Sequence, residues 1–472
     1  MISNKSQITI LANRLPIYYQ NNKGWQLSPG GLARVVQGLT EYRLTTWVGW
    51  AGRSKPHILT DKNDINGQKL SVASHEEIYL SQREMTHYYE GYCNRGLWPL
   101  YHNACVDECF KQEDYQVYSE VNQRFAYKAA EVAPKGSSVW VHDYQLQLVP
   151  LMLRRLRDDL RIGFFLHIPF PRTEIFASIP FAKEILEGIL GADLIGFQAK
   201  DHADNFLSAC SQLTCCKIES SCVQVSKLGG LRKAHVEVFP VGVNAKNINA
   251  LAGQREIRDQ AKQIRRELGN PKILLLGVDR LDYTKGIDVR MKAVAELFAS
   301  GHLDPDSTIL RQISMVTRES ISTYRKLAEE TQSLANSLNA QIGKAGRQCI
   351  RYSCETLEYN DLIANYLASS MMLVTPYCDG MNIVCKEYVA TREDCSGSLV
   401  LSQFAGAASQ MKSAWLVNPY KLESVKAGII AAVGSSKQER SERMNQLRRD
   451  VFEYDSKWWA DTFLRRLSEL GG

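Results

Sequence analysis

The sequence is short of several features that would announce a function at once. It has no run of about 18 uninterrupted apolar residues, the length a membrane-spanning helix needs. Its opening stretch, MISNKSQITILANRLP, meets Arg14 and Pro16 before a signal peptide could complete an apolar region and a cleavage site. These two absences predict a soluble, cytoplasmic protein. Charge of one sign is also lacking: 57 basic residues stand against 51 acidic ones, a net +6. That surplus is too small for a nucleic-acid or membrane-surface footprint. The densest basic run, Arg154, Arg155, Arg157 and Arg161, alternates with leucines and reads as the solvated face of an amphipathic helix. The twelve cysteines never form paired C-x2-C sets, so they predict reduced thiols and no metal site. The G-x-G-x-x-G dinucleotide fingerprint, the P-loop, the G-x-S-x-G elbow and H-E-x-x-H are all missing, which argues against a nicotinamide enzyme, a P-loop NTPase, a serine hydrolase and a zinc protease. Asp304-Pro305-Asp306 imitates a metal-binding Asp-x-Asp motif. It follows a polar helix end rather than a buried strand, and reads as a turn.

What is present is an ordinary globular composition, 44% hydrophobic, 23% charged and 9% aromatic, in 472 residues. At roughly 100–200 residues per domain this length predicts two or three domains. Ten short apolar runs recur, each followed by a helical pattern. The first series is 7–15, 137–144, 161–170, 192–198 and 235–243; the second is 272–281, 307–316, 370–380, 398–406 and 414–420. Near-continuous apolar strands alternating with helices mean parallel sheets covered on both faces. Ten strands exceed what one open sheet comfortably holds, so the fold class is α/β with two doubly wound, Rossmann-like domains. The boundaries read as 1–243, 244–455, and a final helix over 456–472 that returns to the first domain.

Ligands of open α/β sheets bind beyond the carboxyl ends of the strands, and unusual polar residues gather there. His142-Asp143-Tyr144 ends one strand and His167 the next. Arg280 and Lys285 follow the KILLLGVD strand, Arg318 follows QISMV, and Asp379-Gly380-Met381-Asn382 follows MMLVTPY. A guanidinium and an ammonium five residues apart suit a diphosphate, whereas a plain surface pair would bridge to Asp279 and Asp282. Gly380 lets backbone approach a ligand, and the helix start after it offers N–H groups to an anion. Glu387 lies about two turns along that helix. Near the N-terminus, Arg14 follows the first strand and Gly30-Gly31 opens a helix. Trp47, Trp50, Tyr88, Tyr89 and Trp98 lie in WVGWAG and HYYEGYCNRGLWP, where aromatics can stack on sugars; Trp50 and Tyr88 read as core.

The runs NRLP, GGL, WVGWAG, YYEGYCNRGLWPLYH, VHDYQL, GFFLHIPFP, LIGFQ, VFPVGV, VDRLDYTKGI, DGMNIVCKEYVA and LSQFAGAA together make the chain similar to the trehalose-6-phosphate synthases, retaining transferases of the two-domain GT-B fold, from about residue 7 to about 460. The resemblance implies two Rossmann-like domains facing each other across a cleft, the N-terminal one binding the acceptor and the C-terminal one the nucleotide sugar. It assigns Arg280 and Lys285 to the donor diphosphate, and Asp379 with the N–H groups of Gly380, Met381, Asn382 and Ile383 to the donor sugar and phosphates. Glu387 is given to the ribose and His167 to the donor glucose near the reacting centre. His167, Arg280, Lys285 and Asp379 form the implied catalytic set. The acceptor, glucose 6-phosphate, is implied to meet Arg14, Trp47, Tyr89, Trp98, Asp143 and Arg318, with both arginines at its phosphate. Gly31 is assigned to the donor side and to the acceptor side alike. Departures are peripheral: the cysteine-rich connection 215–235, and Ile383 and Cys385 where small or aliphatic residues are usual.

The activity so implied transfers glucose from UDP-glucose to glucose 6-phosphate with retention, giving α,α-trehalose 6-phosphate. It needs no cofactor and no metal. The resemblance allows a homo-oligomer and implies a separate phosphatase acting downstream. Two other readings stand beside it: a glucosylglycerol-phosphate synthase using ADP-glucose and glycerol 3-phosphate, and a non-catalytic sugar-phosphate sensor. Retention of both donor and acceptor residues argues against the sensor.

Overall fold

In the computed structural model the described residues are 7–20, 24–27, 45–52, 64–65, 68–69, 74–104, 110–225, 232–315, 322–343 and 347–470. The chain divides into two compact units, Met1–Pro240 with Ser456–Gly472, and Val241–Asp455.

Unit 1 is built on one nine-stranded sheet: β1 Ile8–Arg14, β2 Thr45–Trp50, β3 Ser74–Ile78, β4 Ser138–His142, β5 Arg161–Phe165, β6 Leu194–Phe197, β7 Lys217–Glu219, β8 Cys222–Val225 and β9 Arg232–Val238. Their order is β7-β8-β9-β6-β5-β4-β1-β2-β3. All pairs from β9 to β3 are parallel, and the β7–β8–β9 edge is antiparallel. The central strands are buried on both faces, which is why ITILAN, VWVH and IGFF carry almost no polar side chains.

Unit 2 has six parallel strands: β10 Ile273–Arg280, β11 Thr308–Met315, β12 Ile350–Cys354, β13 Met371–Val374, β14 Ser398–Ser402 and β15 Trp415–Val417. Their order is β12-β11-β10-β13-β14-β15. Leu275, Met291, Val294, Leu310, Leu373 and Val400 form the centre of its core.

Both sheets therefore carry the same doubly wound path: three strands laid outward in one direction, then a return past the first strand for the next three. The reversal leaves a switch point between β1 and β4 in unit 1, and between β10 and β13 in unit 2. Ligands of such sheets bind at switch points because the flanking loops diverge there and open a crevice.

The helix Ser456–Glu469 closes unit 1. Phe463 rests on β5, where a Cβ at Gly163 would lie 2.7 Å from its ring. Trp459 is fully buried beside Trp140, with ring centroids 4.8 Å apart. Among the described residues no helix is long and apolar enough to cross a membrane.

Candidate active site

At the switch point of unit 1, β1 ends in Arg14, whose side chain is exposed. Its guanidinium lies over Trp50 at 4.7 Å from the ring centroid and over Tyr89 at 5.6 Å. Each such contact is worth roughly 0.5–1 kcal/mol at an exposed site, enough to hold an otherwise floppy side chain extended. Tyr89 comes from a widened helix of π geometry, Met85–Leu97. The same helix sends Tyr88 inward, where its hydroxyl donates to Asn13 Oδ1 at 2.8 Å. Trp47 does not stack on the surface: it is 1% exposed, and its indole N–H donates to the Arg14 carbonyl at 3.2 Å. It supports the backbone under Arg14. Trp98 is also buried, 4.1 Å from the His102 ring and 5.8 Å from Tyr144.

Across the switch point, β4 runs into Asp143, whose backbone is left-handed at φ 75°. A non-glycine residue held there costs of order 1–3 kcal/mol and persists only where its surroundings fix it. Here the Asp143 N–H donates to the Phe165 carbonyl at 2.8 Å, and Asp143 Oδ1 accepts the His167 N–H at 3.2 Å. His167 Nε2 lies 3.0 Å from Nδ1 of the buried His142. Burial pulls the His167 pKa down to about 3 and that of His142 well below its ordinary value, so both rings stay neutral.

At the switch point of unit 2, β10 ends in Arg280, and a short turn brings Lys285 to the sheet edge. Gly286 follows at φ 59°, where a Cβ would lie 2.1 Å from the Thr375 carbonyl oxygen. Only glycine lets the loop lie so close to the end of β13. Lys285 Nζ donates to Asp379 Oδ2 at 2.6 Å, and Asn382 Nδ2 donates to the same oxygen at 3.0 Å. The plain surface alternative, pairing with Asp279 and Asp282, does not hold for Lys285. Asp279 is bound by Arg290 at 2.7 Å, and Asp282 Oδ1 caps its own turn by accepting the Thr284 N–H at 3.0 Å.

Asn382 is the second strained non-glycine residue at a switch point, again at φ 75°. It caps the helix Ile383–Thr391, its Oδ1 accepting the Cys385 N–H at 3.1 Å. The N–H groups of Ile383 and Val384, at the first two positions of that helix, have no carbonyl within the helix to reach. The 379–382 loop is pinned from behind: the Gly406 N–H donates to the Asp379 carbonyl at 3.1 Å and the Ala407 N–H to the Met381 carbonyl at 2.8 Å. Glu387 is 3% exposed and accepts from the Tyr366 hydroxyl at 3.1 Å. Burial drives the Cys385 thiol up to about 12, and its Sγ donates to the Asn382 carbonyl at 3.0 Å, so this thiol packs and does not react.

The structure thus brings Arg14, Tyr89, Asp143 and His167 to one sheet edge, and Arg280, Lys285, Asp379, Gly380, Met381, Asn382 and Ile383 to another. Gly31 and Arg318 lie outside the described residues. Among the described residues, no three His, Cys, Asp or Glu side chains gather as a metal site.

Sequence reasoning passed over Arg290 and Lys386. Arg290 is fully buried and donates to Asp279, to Gln312 at 2.7 Å, to Thr375 at 3.1 Å and to the Lys285 carbonyl at 3.4 Å. One guanidinium therefore ties β10, β11, the end of β13 and the Lys285 turn together. Its signal was an arginine spaced with Ile287, Met291 and Val294 on the apolar face of its helix, whereas Asp288, Lys292 and Glu296 lie off the buried face. Lys386, buried beside Cys385, donates to the Val241 carbonyl and to Gln410 Oε1, each at 2.6 Å. Loss of hydration lowers its pKa to about 8.

Comparison with known proteins agrees along the whole chain. The model of glycosyltransferase family 20 matches residues 1–469. A trehalose-6-phosphate synthase of Mycolicibacterium gilvum is 44% identical over 479 residues, covering 99% of this chain and 94% of that one. An E. coli structure solved with UDP-2-fluoro glucose superposes with a TM-score of 0.87 at 30% identity, over 98% of this chain and 99% of that one. A Burkholderia xenovorans α,α-trehalose-phosphate synthase (UDP-forming), solved with glucose-6-phosphate, gives 0.87 at 27% identity, over 98% and 100%. The order of strands, the paired switch points and these likenesses lead to one statement: this chain belongs to glycosyltransferase family 20, and is a glycosyltransferase of the two-domain GT-B fold.

Proposed function

We propose that the chain is a UDP-forming α,α-trehalose-phosphate synthase, transferring glucose from UDP-glucose to glucose 6-phosphate with retention. The observation that carries this reading is the Lys285–Asp379–Asn382 cluster at the head of a capped helix, on the switch point of unit 2. Its chemistry suits a nucleotide diphosphate sugar: one ammonium for the phosphates, one carboxylate for sugar hydroxyls and helix N–H groups for the leaving oxyanion. The E. coli relative solved with UDP-2-fluoro glucose and the B. xenovorans relative solved with glucose-6-phosphate support the two substrates.

On this reading unit 2 takes the donor. Arg280 and Lys285 neutralise the charge that grows on the departing diphosphate; Asp379 and the N–H groups from Gly380 to Ile383 hold the glucose and phosphates; Glu387 takes the ribose. Unit 1 takes the acceptor, with Arg14 and Arg318 at its phosphate and Tyr89, Trp98, Asp143 and Gly31 around its ring; His167 faces the transferred glucose. Trp47, buried, acts through Arg14. The bond from glucose C1 to the diphosphate oxygen breaks as the acceptor's anomeric hydroxyl oxygen bonds C1 from the same face. The hydroxyl proton passes to the departing phosphate oxygen, and UDP leaves. Charges already in place stabilise this step without reorganising when it occurs. The product retains its phosphate, and its removal falls to a separate phosphatase.

The test is purified protein incubated with UDP-, ADP- or GDP-glucose against glucose 6-phosphate or glycerol 3-phosphate. The expected result is UDP release with glucose 6-phosphate and a non-reducing phosphorylated disaccharide. Release only from ADP-glucose with glycerol 3-phosphate transfers the reading to glucosylglycerol-phosphate synthesis, and no release from any pair leaves a sensor.

A further inference from the structure

Two histidines meet at the carboxyl edge of unit 1. His142 closes β4 and is fully buried; His167 follows β5 and is half-buried. Their contact, His142 Nδ1 to His167 Nε2 at 3.0 Å, holds one proton when both rings are neutral. Either His142 donates from Nδ1, or His167 donates from Nε2.

The far nitrogen of His142 decides between them. His142 Nε2 is buried and has no hydrogen-bond partner. The rings packed against His142 are Trp140 at 4.6 Å, His167 at 5.2 Å, Trp459 at 6.2 Å and Phe165 at 6.5 Å between centroids. Apart from those of His167, the polar atoms on these rings are indole N–H groups, which donate and cannot accept. A hydrogen on His142 Nε2 would be a buried donor among donors. Orphaned buried N–H groups are rarer than under-satisfied acceptors, so the bare lone pair belongs on Nε2 and the hydrogen on Nδ1. The desolvation that keeps both rings uncharged removes the third arrangement, a doubly protonated ring.

We propose that His142 is a positioning residue that sets the tautomer of His167: His142 Nδ1–H donates to His167 Nε2, leaving His167 with its hydrogen on Nδ1. His167 then meets its ligand as a neutral donor, selecting an accepting oxygen such as a sugar hydroxyl and supplying no net charge. The tautomer follows from unit 1 alone. Its use on the transferred glucose rests on the function proposed above.

The first test reads the tautomer directly. Protein labelled with ¹⁵N-histidine, free of ligand, is measured by long-range proton–nitrogen correlation, with His142→Phe and His167→Asn assigning the signals. Both rings are expected to carry hydrogen on Nδ1 and a lone pair on Nε2 at neutral pH. A His167 ring protonated on Nε2 overturns the proposal. The second test is kinetic. His142→Phe keeps a flat ring but removes the donor, and is expected to leave His167 in mixed tautomers and to lower kcat by about tenfold with the KM for glucose 6-phosphate little changed. His142→Gln, which can donate from its amide, is expected to recover part of that loss. Mixed tautomers with unchanged kcat overturn the link to the reaction. Failure of the nucleotide-sugar assay would leave the ligand-free spectra as expected, so the two readings fail separately.

Discussion

The two units follow the same path and solve the same local problem with different chemistry. Each places a cation after its first strand or the adjoining turn, Arg14 or Lys285, and a strained polar residue at φ 75° just beyond its fourth, Asp143 or Asn382. In unit 1 that point is lined by aromatic rings: Arg14 rests on Trp50 and Tyr89, and the uncharged His142–His167 pair is walled by Trp140 and Trp459. In unit 2 the cation is already paired, Lys285 with Asp379, and a second buried ion pair, Arg290 with Asp279, braces the loop. The difference separates two tasks. On the function proposed above, the aromatic edge with its ring-held Arg14 suits a phosphorylated sugar acceptor, while the charged, pre-arranged edge suits the charge of a leaving group.

That contrast can be broken by experiment. The largest effect should come from Arg290→Met, which strands Asp279 in the interior of unit 2. Removing one partner of a buried ion pair costs about 3–5 kcal/mol, to be read as a lower urea midpoint. A loss below about 1 kcal/mol would mean that this pair does not brace the unit. Next, Lys285→Ala should lower kcat by about 100-fold or more, the scale of losing a preorganised donor to a developing oxyanion. Arg14→Ala should instead raise the KM for the phosphorylated acceptor about tenfold, with kcat nearly kept. If both variants move the same parameter, the division of labour is wrong.

Acid should find unit 1 through its histidines. Their folded pKa values lie below the unfolded value of about 6.5, so the unfolded chain binds protons first. The stability this contributes is full above about pH 6.5 and falls as pH drops toward about 3, the value for His167. Lys386 follows the same sign in unit 2 in a higher window: lowered to about 8, it adds stability as pH rises from there toward its unfolded value. Melting curves of wild type and His142→Phe from pH 7 to 4 should converge on acidification; parallel curves would contradict the neutral pair. The smallest effect is expected from Tyr366→Phe, which removes a hydroxyl donor to Glu387 and should raise the donor KM by about two- to tenfold. An unchanged KM would make that contact purely structural.

Much of the fold could be read from sequence because a doubly wound sheet writes its inner strands as continuous apolar runs. All ten such runs overlap observed strands, though β9 starts at Arg232, three residues before the run 235–243. β3, SHEEI, and β12, IRYSC, escaped because edge strands tolerate polar side chains, and the β7–β8 hairpin is mostly polar for the same reason. β2, TTWVGW, is wholly buried but reads as an aromatic, glycine-bearing loop. The placing of Arg280, Lys285 and Asp379 at one edge was legible because each sits at a strand end. The supports behind them were not. Glu387 meets Tyr366 across a helix, Lys386 meets Val241 across 145 residues, and His142 is enclosed by Trp459, so only the folded chain puts them together. The same is true of Trp47, whose exposed-looking motif conceals a buried side chain.

The returning helix Ser456–Glu469 has a consequence for synthesis. Unit 2 is one unbroken stretch of chain, whereas unit 1 needs residues made after all of unit 2. Domains tend to fold as units while the chain emerges, N-terminal first. Here the order is inverted: the second unit can be finished while the first still lacks Trp459 and Phe463, the wall behind its histidine pair. Until that helix emerges, the apolar face of β4 and β5 waits uncovered, so the nascent first half is the segment most in need of chaperone cover.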